Sequence, residues 1–135
     1  MAEILLVEDD SDVAESLRLL LEDWGHKVRS AGNGHEGMVA LADWLPDLVL
    51  LDVEMPVLDG PGMALRMFLE NAGKERLPVV LVSGASNLRT VAQQVGTPYA
   101  IAKPFSVEAL EALVRRALEE RLVPVPQTKA AGTTE

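Results

Sequence analysis

The sequence predicts a doubly wound α/β fold, in which helices cover both faces of one five-stranded parallel sheet. Short apolar runs without polar alternation recur along the chain, as expected of parallel strands that are buried on both faces. Segments with helical apolar periodicity separate these runs, so that strand and helix alternate five times. Crossovers between parallel strands are right-handed, and this places the helices on both sides of the sheet.

The predicted strands take their places in the sheet from how apolar they are. Residues 4–7, 48–51 and 79–82 form continuous apolar runs, which suit the centre of a parallel sheet. Residues 26–30 alternate polar and apolar side chains, and residues 99–102 are only weakly apolar, so both suit an edge. The strand order 2-1-3-4-5 satisfies this pattern and places the first and third strands side by side.

Five helical segments are predicted from an apolar face or from residues that start and end helices. Asn33 and Glu36 have the spacing of a capping box, and Ser106 is a suitable N-cap residue. Gly73 and Gly96 end the third and fourth segments. In chain order the five segments are residues 13–24, 33–44, 63–70, 86–95 and 106–118.

Length and composition predict a single domain with its own core. A chain of 135 residues has the size of one domain, and 48% hydrophobic residues are enough to fill a core. We assign residues 1–122 to this domain. Residues 123–135 contain prolines and small residues without periodicity, and we expect them to be a disordered tail or the stub of a linker.

Charge and hydropathy argue against several classes of protein. A net charge of −9 argues against binding to nucleic acid or to an anionic membrane, because both need basic patches. No apolar run approaches the roughly 20 residues that cross a bilayer. The first residues, MAEILLVEDD, are too short and too acidic a segment for a signal peptide. We therefore expect a cytoplasmic location, and the lack of cysteine excludes disulfides and thiol chemistry.

Polar residues end four of the predicted strands, at the edge where open α/β sheets bind ligands. Glu8 and Asp9 follow the first strand, Asp52 the third, Ser83 the fourth and Lys103 the fifth. Because the first and third strands are neighbours, their carboxylates should converge, and a hard cation such as Mg²⁺ would relieve the repulsion. With a lysine and a hydroxyl added, the group suits phosphoryl transfer onto a carboxylate.

Each of these residues alone has a simpler explanation. An aspartate after a strand can start a turn, and serine or lysine alone at a strand end says little. Asp10 should act mainly at the N-terminus of the first helix, where the helix dipole favours an acid. What favours a functional site is the combination of four fitting residue types at four matching strand ends.

Four motifs, ILLVEDD, LVLLDVEMPVLDG, VVLVSGAS and AKPF, occur in this order, and through them the sequence resembles the receiver domain of bacterial two-component response regulators. The resemblance covers roughly residues 3–122 and implies a flavodoxin-like fold with the strand order given above. It implies that Asp52 accepts a phosphoryl group from a sensor histidine kinase, from a phosphotransfer protein or from a small phosphodonor. Ser83 would bond to the phosphoryl oxygen and Lys103 would pair with it. Members of this family also hydrolyse their own aspartyl phosphate slowly, so such a domain is both a switch and a slow enzyme.

The resemblance also implies a magnesium site. Asp9, Asp52 and the backbone carbonyl of Glu54 would ligate Mg²⁺ directly, and Glu8 would act on the metal through water. Mn²⁺ could take the place of Mg²⁺. The resemblance further implies a Lys103–Pro104 peptide bond of the kind that is often cis in this family.

One departure from the family pattern concerns how the signal leaves the site. Receivers usually carry Tyr or Phe three residues before the lysine, and here that position is Ala100, with Tyr99 one place earlier. Either the signal leaves through the fourth helix and the loop before it, or Tyr99 acts from another direction. We expect phosphorylation to reshape the face of the fourth helix, fifth strand and fifth helix without an aromatic flip.

A second departure is the absence of an output domain from the sequence. The output is therefore either an unknown downstream protein or a domain of a longer chain. Two other functions stay open: a receiver that docks without phosphorylation, and a Mg²⁺-dependent phosphoryl or nucleotidyl enzyme with an acidic α/β site. The docking receiver would not need the metal ligands, and the enzyme would not need Ser83 and Lys103 at their present spacing.

Overall fold

The computed structural model of the chain describes residues 1–53, 63–84, 86 and 88–125. In this part of the chain strands and helices alternate as the sequence predicts. The third helix extends to Lys74, beyond its predicted end, because the chain stays helical past Gly73. The elements are β1 (Glu3–Val7), α1 (Ser11–Asp23), β2 (Lys27–Ala31), α2 (Gly34–Asp43), β3 (Leu48–Asp52), α3 (Met63–Lys74), β4 (Val79–Gly84), α4 (Leu88–Val95), β5 (Tyr99–Lys103) and α5 (Val107–Glu120).

The five strands form one parallel sheet in the order β2-β1-β3-β4-β5, which confirms the predicted topology. At the carboxyl end of β1, Val7 pairs with Ala31 of β2 and with Leu51 of β3. The register therefore brings the carboxyl ends of β1 and β3 side by side, at the point where the strand order reverses. Sheets of this kind bind their ligands at that point.

The two faces of the sheet build two separate cores, and this explains why the central strands have no polar alternation. Successive residues of a strand point to opposite faces, so each face needs its own apolar set. One core includes Leu5, Val49, Leu51, Val79 and Leu81 of the strands, together with Phe68 of α3 and Val91 of α4. The other includes Ile4, Leu6, Leu50, Val80 and Val82, together with Leu21 of α1 and Val114 of α5.

Within the described residues, no helix has the length and apolar character needed to cross a membrane.

Polar side chains begin the helices, as the sequence predicts. Asn33 Oδ1 accepts a hydrogen bond from the Glu36 backbone N–H at 2.9 Å. The Glu36 carboxylate reaches back to the N–H of Gly32 at 2.6 Å, one residue before the position expected for a capping box. Ser106 Oγ accepts from the Ala109 N–H at 3.0 Å and starts α5. The bonds to the Glu36 and Ala109 N–H groups each satisfy a donor that the helix leaves without an internal partner.

Candidate functional site

Four of the predicted site residues lie at one edge of the sheet, at the carboxyl ends of neighbouring strands. Asp52 is the last residue of β3 and Lys103 the last of β5, while Ser83 is the last but one of β4. Glu8 follows β1 and donates its backbone N–H to Ala31, so it continues the sheet by one residue. Asp52 is 3% exposed, Glu8 is 7% exposed and Ser83 is fully buried. The fold therefore buries polar groups where a sheet of this class has its ligand site.

The Asp52 carboxylate faces the ammonium group of Lys103. Asp52 Oδ1 lies 2.8 Å from Lys103 Nζ. Among the described residues, the two Asp52 oxygens and Ser83 Oγ have no hydrogen-bond partner. The contact between Asp52 and Lys103 is therefore an ion pair without hydrogen-bond geometry. Buried polar atoms without partners cost about 1–3 kcal/mol each, so natural proteins rarely keep them without a reason. A ligand that bonds to both Asp52 and Ser83 would supply the missing partners.

The carboxyl group of Glu8 is held in its protonated form over a wide pH range. The pKa of Glu8 is raised to about 8, mainly by burial, and the neighbouring carboxyls of Asp52 and Asp9 contribute to this rise. A hydrogen bond of 2.8 Å from the Asp10 backbone N–H to Glu8 Oε2 opposes this change but does not cancel it. A cation at this edge would favour the ionised form and remove the cost of crowding three acids.

Asp10 has the structural role that the sequence predicts. Its side chain accepts hydrogen bonds from the backbone N–H groups of Asp12 and Val13, at 2.9 and 3.1 Å, and so forms the N-cap of α1. This capping fixes the turn between β1 and α1. The turn thereby holds Glu8 against the end of β3, while Asp9 is exposed.

The donor groups fit a magnesium ion, although they do not form a complete ligand set. In the described part of the chain, no three Asp, Glu, His or Cys side chains are gathered into a metal-binding group. The predicted ligand Glu54 lies outside the described residues. Mg²⁺ does not require three side chains, because it binds through one or two carboxylates and keeps several waters. Two buried Asp52 oxygens that have no hydrogen-bond partner among the described residues, close to the Glu8 carboxyl, suit such an ion.

An open groove gives access to Asp52. Its volume is about 670 Å³, and it runs between the first turns of α1 and the segment after β5. The Lys103–Pro104 peptide bond in this segment is cis, as the family resemblance implies. Besides Asp52, the groove is lined by Asp12, Val13, Ser16, Leu17, Lys103, Pro104 and Phe105. Most of these residues are not recognisable as groove lining from the sequence, although the spacing of Asp12 and Ser16 puts both on one helix face.

Ala100 and Tyr99 lie on opposite faces of the sheet. Ala100 packs on the α4 side and lines a groove along α4. Tyr99 is fully buried on the side of α1 and α5, where its phenol oxygen lies 3.1 Å from the carboxylate of Glu120 and accepts the Leu122 N–H at 3.1 Å. The Arg116 guanidinium lies 5.3 Å from the centre of the ring. Tyr99 therefore does not occupy the place that Ala100 leaves on the α4 side.

Comparison with known proteins gives one consistent family. Residues 4–115 match the model of the response regulator receiver domain. The response regulator Rre1 of Synechocystis sp. is 39% identical over 118 residues, which are 85% of this chain and 51% of that protein. The signal receiver domain of a histidine kinase from Syntrophus aciditrophicus has a TM-score of 0.74 at 32% identity, covering 96% of this chain and 99% of that chain.

A second solved structure and the lengths of the relatives add to this comparison. The receiver domain of NtrX from Brucella abortus has a TM-score of 0.70 at 34% identity, over 86% of this chain and 98% of that chain. The chain spans about half the length of the curated relatives it matches. The likeness therefore extends over one domain of those relatives.

Proposed function

We propose, since this chain belongs to the family of response regulator receiver domains, that Asp52 accepts a phosphoryl group and that the domain is a phosphorylation-controlled switch. One observation carries the proposal. Asp52 is a buried carboxylate paired with Lys103, and its oxygens and the Ser83 hydroxyl have no hydrogen-bond partner among the described residues. The family assignment favours this function over a nucleotidyl enzyme and over docking without phosphorylation.

The proposed reaction moves a phosphoryl group from a donor to a carboxylate oxygen. An oxygen of Asp52 forms a bond to phosphorus while the bond to the donor breaks, which is a P–N bond in a phosphohistidine and a P–O bond in a small acyl phosphate. The leaving imidazole or carboxylate takes the electron pair. Lys103 neutralises charge on the transferred group, and Ser83 donates its hydroxyl to one of the phosphoryl oxygens. In the separate hydrolysis step, a water oxygen bonds to phosphorus while the P–O bond to Asp52 breaks, which returns the Asp52 carboxylate and inorganic phosphate.

The same site would also hold a metal ion. Asp9 and Asp52, with the backbone carbonyl of Glu54, would hold Mg²⁺ directly, and Glu8 would act through water. Bound there, the ion supplies positive charge that offsets the repulsion between the acids and the phosphoryl group. The raised pKa of Glu8 supports this assignment, since a cation would compensate the burial and the neighbouring acids that cause it. Mn²⁺ would serve in place of Mg²⁺.

The proposed partners are a phosphodonor and an output. A sensor histidine kinase or a phosphotransfer protein would reach Asp52 through the groove beside α1, and a small phosphodonor would use the same opening. The output is a downstream protein or a domain joined to the receiver, because several relatives that are about twice as long are named transcriptional regulators. The responding face is α4, β5 and α5, and with Ala100 in place of an aromatic residue it responds without a ring flip.

The proposal is tested by incubating the protein with acetyl phosphate and Mg²⁺ and measuring its intact mass. We expect a gain of one phosphoryl group that is stable in acid, labile in base and abolished by EDTA. Asp52→Asn should remove the gain, whereas Asp23→Asn, at an exposed position at the end of α1, should keep it. A gain that persists in Asp52→Asn, or no gain in the natural protein, would contradict the proposal.

A further inference from the structure

The chain turns back at the end of α5 and packs against the rest of the domain. Arg121 follows the last helical residue with a left-handed backbone, φ 55°, which ends the helix. Its guanidinium Nη1 lies 3.5 Å from the Asp47 carbonyl oxygen, near the N-terminal end of the sheet. We call residues 121–125 the strap. It lies at the edge of the sheet opposite to Asp52.

Two backbone hydrogen bonds hold the strap. The Leu122 N–H donates to the Tyr99 phenol oxygen at 3.1 Å, and the Val125 N–H donates to the Gly96 carbonyl at 3.0 Å. Pro124 between them is buried, although Leu122 and Val125 expose their side chains. Backbone polar groups, more than apolar side chains, therefore fix the path of the strap.

Tyr99 is the anchor of the strap. Its ring is fully buried, and its phenol accepts the Leu122 N–H while lying 3.1 Å from the Glu120 carboxylate. Because the carboxylate can only accept, the phenol must donate its proton to Glu120. One hydroxyl thus ties β5 both to the last turn of α5 and to the first residues of the strap.

Apart from the Arg121 contact with Asp47, the hydrogen bonds that hold the strap involve or adjoin the three elements that the proposed function assigns to the switch. Gly96 directly follows α4, Tyr99 begins β5 and Glu120 ends α5. The opposite end of β5 is Lys103, whose ammonium group pairs with Asp52. At a rise of about 3.3 Å per residue, β5 connects the two ends over roughly 13 Å. A relative movement of α4, β5 and α5 must therefore change the geometry of the strap.

We propose that the strap is the reporter of phosphorylation in this domain, and that a phosphoryl group on Asp52 releases residues 122–125 from Tyr99 and Gly96. This inference rests on the proposed function and extends it from the site to a segment that leaves the domain. Both hydrogen bonds of the strap are formed and Pro124 is buried, so a displacement of Tyr99 and Gly96 relative to one another would strain these bonds. A short segment held by two backbone bonds belongs to the parts of a protein that open most easily.

The mechanism does not need an aromatic residue at position 100. The phosphoryl group would draw the Ser83 hydroxyl toward one of its oxygens and move the Lys103 ammonium from its contact with Asp52 Oδ1 to a phosphoryl oxygen. Ser83 and Lys103 lie on the adjacent strands β4 and β5. β4 leads into α4, whose far end carries Gly96, while β5 carries Tyr99 at its own far end. Release of the strap would free any segment beyond Val125 to reorient.

The test is amide hydrogen exchange of Leu122 and Val125, measured by NMR with and without Mg²⁺ and beryllofluoride as a phosphoryl mimic. Binding of the mimic is followed separately through its bound ¹⁹F resonance. We expect exchange of both amides to accelerate at least about fivefold when the mimic binds, the change expected for loss of one net hydrogen bond. Amides of β2, at the edge of the sheet opposite to β5, should not change.

Two variants test the anchor itself. Tyr99→Phe keeps the ring and removes the hydroxyl, so the Leu122 amide should exchange fast in both states, with bound mimic still visible by ¹⁹F NMR. Arg115→Gln removes an exposed cation of α5 that pairs with Glu111, and in this variant the two strap amides should respond to the mimic as they do in the natural protein. Melting curves of both variants verify that they fold.

The possible results separate the two proposals. If the mimic binds and the two strap amides keep their protection, the strap is static and this inference is wrong while the proposed function stands. If the mimic does not bind in the presence of Mg²⁺, the proposed function and the strap inference both fall. If Tyr99→Phe leaves the Leu122 amide protected, Tyr99 is not the anchor.

Discussion

At the scale of single residues, the site is built from polar atoms that the fold buries without giving them hydrogen-bond partners among the described residues. Asp52 and Ser83 are the clearest cases among the described residues. Their presence at neighbouring strand ends was predictable from the sequence, because apolar runs locate the strand ends. Their burial and the lack of partners were not predictable, since both depend on distances between side chains that are far apart in the chain.

The first prediction concerns Ser83, whose hydroxyl is fully buried. Ser83→Ala should leave the metal-free fold equally stable or stabilise it by up to about 1 kcal/mol, because it removes a polar group that lacks a partner. The same change should weaken beryllofluoride binding several-fold, and Ser83→Thr should restore it. Urea unfolding and titration of the mimic measure the two effects. A loss of several kcal/mol of stability would show that the hydroxyl serves the fold.

The second prediction concerns pH. Because burial raises the pKa of Glu8 from 4.5 to about 8, the folded state binds this proton more tightly than the unfolded state. Glu8 therefore lowers the free energy of unfolding progressively as the pH rises from about 4.5 to about 8. Above the pKa of Glu8 in the folded state, this loss of stability is complete. Glu8→Gln cannot ionise, so in EDTA it should gain stability relative to the natural protein between about pH 5.5 and pH 8.5.

Urea unfolding of both proteins at the two pH values measures this difference. Adding Mg²⁺ at the higher pH should reduce the gap, because the ion stabilises ionised carboxylates. A difference between the proteins that does not change with pH would show that Glu8 ionises normally in the folded state.

At the scale of the elements, hydrophobic patterns predicted the strands and helices, and residue contacts decided what the patterns leave open. The three central strands were found because two-sided burial leaves no polar alternation. Tyr99 was assigned to a weak edge strand, but periodicity of a short run does not reveal that its ring faces α5 and bonds to Glu120. The end of α3 was placed too early because Gly73 lies within the helix instead of ending it.

The third prediction concerns the contact between α2 and α3. A Cβ atom on Gly37 would lie 2.9 Å from the ring of Phe68, which is fully buried, so the two helices approach at a glycine. Gly37→Ala should destabilise the protein by about 1–3 kcal/mol through overpacking, in spite of its better helix propensity. Gly73→Ala is the matched control, because its new Cβ would meet only the Pro124 carbonyl oxygen, at 3.8 Å. Chemical unfolding should show no loss for the control.

At the scale of the whole molecule, the strand order is what turns scattered residues into a site. The order 2-1-3-4-5 puts β1 beside β3 and so brings Glu8 to Asp52, although 44 positions separate them in the chain. The net charge of −9 adds a negative field to that of the acids at this edge, which favours a cation there. Strand polarity indicated which two strands lie at the edges, and the resemblance to receiver domains implied the full strand order.

The fourth prediction concerns stabilisation of the whole domain by metal. If Mg²⁺ binds the folded site as proposed and not the unfolded chain, the melting temperature should rise with Mg²⁺ concentration, by the equivalent of about 2.7 kcal/mol at 100 times the dissociation constant. Asp52→Asn should remove most of this rise, and Asp23→Asn should not. Equal rises in all three proteins would mean that Mg²⁺ acts by screening the net charge and not at Asp52.

The measurement that tests the central claim most directly is the chemical location of the phosphoryl group. After reaction with acetyl phosphate and Mg²⁺, borohydride reduces an aspartyl phosphate to homoserine, and fragment masses then give its position. We predict homoserine at position 52 and at none of the other aspartates, with none in protein treated with EDTA. Homoserine at another position, or a phosphoryl group found on His26 or His35 instead, would contradict the account.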